Sequence, residues 1–220
     1  MKTLSRIDDG STLQELGKAS IQIVHDLKNQ LNGLKLYATF LKRRIEKSER
    51  PDDEQQTINK LIMGLDRAAS DLSLIVRYGR PIELKKQAGF DVQKAMRSIC
   101  SRLSEKALPI VCDSEVETLL GNLDPTKLTE AFSWISVGAA KFHGDGTSDT
   151  APITVSVTRD VNDQARIEWS GFGTIDHDPF KSFAGSDEIR MSLAAKIIEA
   201  HGGSVQHVQN RFLATLPLSE

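Results

Sequence analysis

Small or apolar residues stand at Leu13, Gly17, Ser20, Val24, Leu27, Leu31, Leu34, Ala38, Leu41 and Ile45, in alternating steps of four and three. That spacing is the heptad seam of a long helix, better filled after Val24 than before it. A second seam runs through Ile58, Leu61, Leu65, Ala68, Leu72 and Ile75. Between them lies a polar stretch, Glu46 to Glu54, containing Pro51. Proline stops the first helix, and Asp52 or Asp53 can cap the second. The pattern therefore predicts an antiparallel helical hairpin. One hairpin cannot cover both of its apolar faces, so two hairpins are expected to pair into a four-helix bundle, making the protein a homodimer.

The texture changes after Tyr78-Gly79-Arg80-Pro81. Glycine and proline end the second helix there and open a linker. Beyond it, helices and strands mix. Asp91 can cap a helix reaching about Leu103, and Leu108 to Cys112 reads as a strand. Asp124 and Pro125 open a helix that runs to about Phe142. Ile153–Thr158 and Ala165–Trp169 alternate as a strand pair, with Asn162 and Asp163 in the turn between them. A helix from Ser192 to about Ala200 stops at Gly202-Gly203, and Ser204–Val208 with Phe212–Leu216 forms a last hairpin. The fold class expected is α+β: a helical hairpin over residues 1–80, then an α/β sandwich with a mostly antiparallel sheet over residues 81–220.

Composition narrows the function classes. With 28 basic and 30 acidic residues in 220, a net charge of -2 gives no electrostatic reason to expect nucleic acid. No apolar run approaches the roughly 20 residues of a membrane span. The opening Met-Lys-Thr-Leu-Ser-Arg has no apolar stretch after it, as a signal peptide would. The two cysteines, Cys100 and Cys112, lack metal-ligand spacing and read as buried free thiols. The expectation is a cytoplasmic protein without membrane contact.

The chemistry-bearing residues concentrate on the first helix. His25 falls inside the apolar repeat but off its seam, with Asp26 beside it and Asn29 one turn on. A nucleophile, a carboxylate and an amide thus share one exposed stripe. A neutral imidazole can take a phosphoryl group, and a neighbouring carboxylate can orient the ring and accept its proton. Lys28 can steer phosphate or simply be solvated. Leu36, Tyr37 and Phe40 lie off the seam beyond His25. They either complete the hairpin core or, with Lys28 and Asn32, form a partner-docking surface. His143 and His177 lie in polar loops and read as solvated, His201 as structural, and Gly144-Asp145-Gly146 as a turn. Ser170 lacks a nucleophile elbow, so hydrolase chemistry is not expected.

Over nearly its whole length the chain resembles the two-domain core of bacterial sensor histidine kinases. His25-Asp26-Leu27-Lys28-Asn29 is similar to that family's phosphoacceptor box, with Gln30 where the family usually has proline. Ala195–Gly203 and Phe212–Leu218 resemble the last helix, turn and strand of its ATP-binding domain. The resemblance implies an α/β sandwich of the kinase ATPase type, receiver-domain partners, and for Asn29 the alignment of a water for dephosphorylation.

The nucleotide-binding positions depart from that pattern. Trp134 and Gly138 stand where the family has two asparagines, one of them a magnesium ligand. Trp169 of Trp169-Ser-Gly-Phe-Gly173 replaces the aspartate that binds adenine. Glu188-Ile-Arg-Met191 replaces a glycine-rich turn, and the lid between Thr174 and about Asp187 is short. Gly138 offers a metal no oxygen, and an indole cannot accept a hydrogen bond from adenine. The expectation is a histidine phosphotransferase with a kinase-like domain that holds neither ATP nor any other cofactor, magnesium coming only from the receiver. The alternatives are a divergent ATP-dependent histidine kinase and a non-catalytic scaffold that binds receivers or kinases.

Overall fold

The structure, a computed structural model, describes residues 8–45, 52–113, 118–143 and 152–219. Within the helices, the side chains of residues 8–19, 21–23, 25, 26, 44, 52 and 53 lie outside the described residues, as does the break around Pro51 with its candidate caps Asp52 and Asp53. The chain divides into two compact units, Met1–Arg80 and Pro81–Glu220.

The first unit is a helical hairpin of α1 (Asp8–Ile45) and α2 (Asp52–Gly79). Its register is marked by an ion pair between Lys35 and Asp66. The first seam splits into two halves. Ala38 is buried and Val24, Leu31 and Ile45 are half-buried, as expected of residues turned toward α2. Their heptad partners are not covered: Leu27 is 44% exposed, Leu34 54% and Leu41 50%. On α2, Leu61 is likewise exposed, whereas Ile58, Leu65, Ala68, Leu72 and Ile75 are half-buried. No helix among the described residues is long and apolar enough to cross a membrane.

The second unit runs β1 (Gln87–Asp91), α3 (Val92–Ser104), β2 (Ile110–Cys112), β3 (Leu120–Leu123), α4 (Pro125–Phe142), β4 (Ile153–Arg159), β5 (Gln164–Ser170), α5 (Ser186–Ala200), β6 (Ser204–Val208) and β7 (Arg211–Pro217). Five strands form one sheet in the order β2-β4-β5-β7-β6, parallel only between β2 and β4. Along β4, β5 and β7, Ile153, Val155, Val157, Ala165, Ile167, Trp169, Phe212, Ala214 and Leu216 are buried, while the residues between them are open or partly open. That period of two gives the sheet one core face, against which the helices pack, and one wet face. On the wet face Glu168 pairs with Arg166 and Arg211.

Both expected caps form. Asp91 accepts the Lys94 N–H at 3.1 Å, and Asp124 accepts the Lys127 N–H at 3.0 Å, with Pro125 in the first turn of α4. Three details differ from the sequence reading. A separate antiparallel pair, β1 with β3, is present. Its strands are short and β1 carries Gly89 at φ +76°, so neither shows an alternating run. Helix α5 begins at Ser186, six residues before the expected start, because its first turns are charged and Gly185 supplies no side-chain cap. Strand β2 begins only at Ile110, since Pro109 has no N–H to give a ladder.

Candidate functional site

Two places are in question: the outer face of α1 around His25, and the part of the second unit that corresponds to a nucleotide site.

On α1, residues 25, 29, 32, 36 and 40 follow helical spacing along one face. At about 100° per residue, Leu27, Leu34 and Leu41 lie roughly opposite that stripe. The backbone at His25 and Asp26 is helical, and their side chains lie outside the described residues. Asn29 and Asn32 are exposed. Leu36, Phe40 and Tyr37 are exposed too, Tyr37 to 69%. Of the two readings left open for these three residues, completing the core of a single hairpin is therefore excluded. Lys28 is half-buried rather than fully solvated. It lines a groove against α2 with Ser73, Val76, Arg77 and Arg80, residues that the sequence reading did not single out.

In the second unit, Trp169 is fully buried in β5, 6.5 Å centroid to centroid from Phe132. Its indole N–H donates to Ser136 Oγ at 2.9 Å, so both polar atoms are satisfied inside the core. Met191 of α5 is also fully buried. Its Sδ would lie 2.4 Å from a Cβ placed on Gly138 in α4. Any side chain at 138, a metal-binding amide included, has to displace the thioether. Trp134 is half-buried.

The segment between β5 and α5 is tied down by the chain itself. Phe172 and Phe180 stack on the buried Phe212, with centroids 4.4 and 5.1 Å away. The Gly173 N–H donates to the Phe142 carbonyl at 3.2 Å. Glu188, in the first turn of α5, accepts hydrogen bonds from Ser182 Oγ, from His177 Nε2 at 3.1 Å and from the Ala184 N–H at 3.3 Å. Burial raises the Glu188 carboxyl, but these donors outweigh it and hold the group below its ordinary value. Asp187 is bound by Lys141 and Arg190. The anionic groups at this helix N-terminus thus belong to the protein, placed where the helix dipole favours negative charge. A nucleotide phosphate would have to compete with them. The residues at these positions do not fit ATP with its magnesium ion.

The other residues marked by the sequence resolve as follows. His143 and His177 are not merely solvated: His143 Nδ1 donates to the Gly171 carbonyl at 2.9 Å, and His177 holds Glu188. His201 is buried at the end of α5 and structural. Its Nε2 accepts the Asp124 N–H at 3.0 Å and its Nδ1 donates to the Ile197 carbonyl at 2.7 Å. Cys100 is buried and Cys112 half-buried. A hydrogen bond with Cys112, and then burial, pushes the Cys100 thiol far up, which makes it inert as a nucleophile. Gly144-Asp145-Gly146 lies outside the described residues. Among the described residues no three His, Cys, Asp or Glu are grouped as metal ligands.

No protein-family model matches the chain, and no curated protein matches it in sequence. Solved structures do match in fold. Full-length ShkA in complex with AMPPNP superposes at a TM-score of 0.65 with 18% identity, covering 90% of this chain and 45% of that one. The Acinetobacter baumannii histidine kinase AdeS gives 0.59 and 14% identity, covering 89% and 98%. The histidine kinase ThkA, solved in complex with the response regulator TrrA, gives 0.60 and 19% identity, covering 96% and 64%. The chain therefore spans less than half the length of ShkA and just under two thirds of ThkA. Helical hairpin and α/β unit together have the fold of histidine kinases.

Proposed function

We propose that the protein is a homodimeric histidine phosphotransferase that relays phosphoryl groups between receiver-domain aspartates through His25. Residues 1–80 carry dimerisation and phosphotransfer, and residues 81–220 are a kinase-like domain that no longer uses ATP. The observation that carries this reading is the filled nucleotide position. A histidine kinase fold whose Gly138 faces the buried Met191 thioether, and whose adenine-binding position is the buried Trp169, keeps the acceptor helix without the means to charge it from ATP. Phosphate must then arrive from another phosphoprotein. The kinase ThkA, solved with its response regulator, supports a receiver as that donor.

In the transfer, a neutral ring nitrogen of His25 attacks the phosphorus of an aspartyl phosphate. The P–O bond breaks, the receiver carboxylate leaves, and the proton on the other ring nitrogen passes toward Asp26. Asn29 aligns the water that later removes the phosphate. Asn32, Leu36, Tyr37 and Phe40 continue the stripe and form the docking surface. The dimer is supported by the uncovered half of the seam. Burying each of Leu27, Leu34 and Leu41 contributes roughly 1.5–3 kcal/mol, and their position opposite the stripe leaves the His25 face free in a four-helix bundle. The mass in solution should be near twice 24.3 kDa.

The test is incubation with a receiver domain phosphorylated on aspartate. His25 should acquire an acid-labile, base-stable phosphate. His25→Ala should abolish it and leave the dimer intact, and Asp26→Asn should slow transfer without preventing receiver binding. Asn29→Ala should spare transfer and change only the loss of phosphate to water. Transfer that persists in a folded His25→Ala protein would place the acceptor elsewhere.

A further inference from the structure

A groove between α1 and α2 lies beside position 25. It encloses about 400 Å³ and is lined by Lys28, Ser73, Val76, Arg77 and Arg80. Among the described residues that line it, three of the five are cations and none is an acid. Ser73, Val76 and Arg77 share one face of α2, by their spacing of three and four, and Arg80 follows directly after the helix ends at Gly79. The Lys35–Asp66 pair sets the antiparallel register, which brings Lys28 level with Ser73 and position 25 level with Val76. Arg77 and Arg80 continue past that level toward the start of α1. From the level of Lys28 to Arg77 the row is therefore about 6 Å long, four residues of helix rise, and it straddles the level of the acceptor, with Arg80 beyond it. Positions 25 and 28 lie one turn apart on neighbouring parts of the same face.

Such a row suits an extended anionic surface better than a single ion. An acyl phosphate beside a magnesium site is surrounded by carboxylates, because a hard cation is held by oxygen ligands. Guanidinium groups meet carboxylate and phosphate with paired N–H donors, and each has five. Arg77 is half-buried and Arg80 exposed, and each also holds an interaction within the protein.

We infer that the groove of Lys28, Arg77 and Arg80 is the electrostatic docking subsite for the acidic, phosphoryl-bearing face of a receiver domain. This rests on the phosphotransferase reading above and adds to it the residues that recognise the donor's charge. Apolar contact with Leu36, Tyr37 and Phe40 supplies area on one side of His25, and the cationic row supplies steering and register on the other.

The experiment measures kcat and KM for transfer from receiver domains of the same organism, phosphorylated on aspartate, across a range of salt. In the wild type, KM should rise with salt. Arg77→Glu combined with Arg80→Glu should raise KM at least about tenfold and flatten the salt dependence. Arg77→Lys combined with Arg80→Lys should recover most of the loss. Arg67→Glu, at an exposed position outside the groove, should change neither constant. Melting curves and mass confirm that each variant is a folded dimer. A folded double-reversal variant with wild-type KM and wild-type salt dependence overturns the inference. So does loss of the dimer, which would assign the groove to a second copy. So does tight binding of inorganic phosphate that the reversal abolishes while transfer is unchanged, which would assign it to a free anion. If the wild type accepts phosphate from no receiver, the phosphotransferase reading fails by itself. Direct binding then decides the groove: salt-sensitive receiver binding lost in the double variant supports it, and equal binding in both overturns it.

Discussion

In the hairpin, leucines stand in solvent: Leu27, Leu34, Leu36 and Leu41 are each exposed to about half of their surface. In the α/β unit, Trp169, Met191 and Phe212 are buried without remainder. The first region leaves apolar side chains open to solvent. The second is a core that has closed on itself. Large open apolar patches suit a partner's surface, whereas a cleft filled by its own side chains has no need of a ligand to be stable. The α/β unit thus joins the histidine kinase fold to a closed core, and the hairpin joins the candidate residues His25, Asp26 and Asn29 to an open apolar surface.

This contrast can be broken most forcefully in the core. Trp169→Ala should cost about 3–5 kcal/mol, through lost burial, a cavity and an orphaned Ser136 hydroxyl, read as a lowered denaturation midpoint. Trp169→Asp with Gly138→Asn, which places at these positions the residues that histidine kinases have, should not create ATP binding. It buries a carboxylate and drives the new amide into Met191. In the hairpin an equally drastic change should act on assembly instead. Leu34→Ser should weaken dimerisation by roughly 1.5–3 kcal/mol, about 10- to 100-fold in dissociation constant, as measured by sedimentation.

A smaller effect is expected from acid. Burial holds His201 below its ordinary 6.5, its bond to the Ile197 carbonyl and the charge of Asp124 opposing this and the charge of Lys86 adding to it. The unfolded chain therefore takes up this proton first. The stabilisation is complete above about pH 6.5 and is lost as pH falls through the folded value. For Asp124, burial raises the carboxyl, but the N–H groups of Lys127, Lys85 and Thr126 outweigh it and hold it below 3.8. Its contribution persists to lower pH and is lost only below that ordinary value. Melting temperature followed from pH 8 to pH 3 should decline in that order, and His201→Gln should remove the first step. The smallest expected effect is none at all: millimolar ATP with magnesium should leave the melting temperature unchanged, because a ligand that bound the native state would raise it by mass action.

Much of this was legible in the residues. The heptad spacing, the caps at Asp91 and Asp124 and the alternation in β4, β5 and β7 all act locally, so they can be read along the chain. The pair β1–β3 could not be read, since its few residues are held by backbone pairing across 29 or more positions of sequence. Nor could the early start of α5, whose charged first turn is stabilised by Lys141 from another helix. At the candidate site, His25, Asp26 and Asn29 form a contiguous box and could be named. Ser73, Arg77 and Arg80 could not, because their link to Lys28 exists only through the hairpin register, although the pairing of Lys35 with Asp66 gives a signal by which it could have been found. Substitution of the nucleotide contacts was visible in sequence. That the Met191 thioether packs against Gly138 required coordinates.

The central claim is that phosphate reaches His25 from an aspartyl phosphate and not from ATP. The most direct measurement presents the intact protein, in parallel, with radiolabelled ATP plus magnesium and with a radiolabelled phosphoreceiver, and follows label on His25 over time. The account predicts label from the phosphoreceiver within minutes, none from ATP, and none from either source in His25→Ala. Label arriving from ATP, or label from the receiver settling on any residue other than His25, would contradict it.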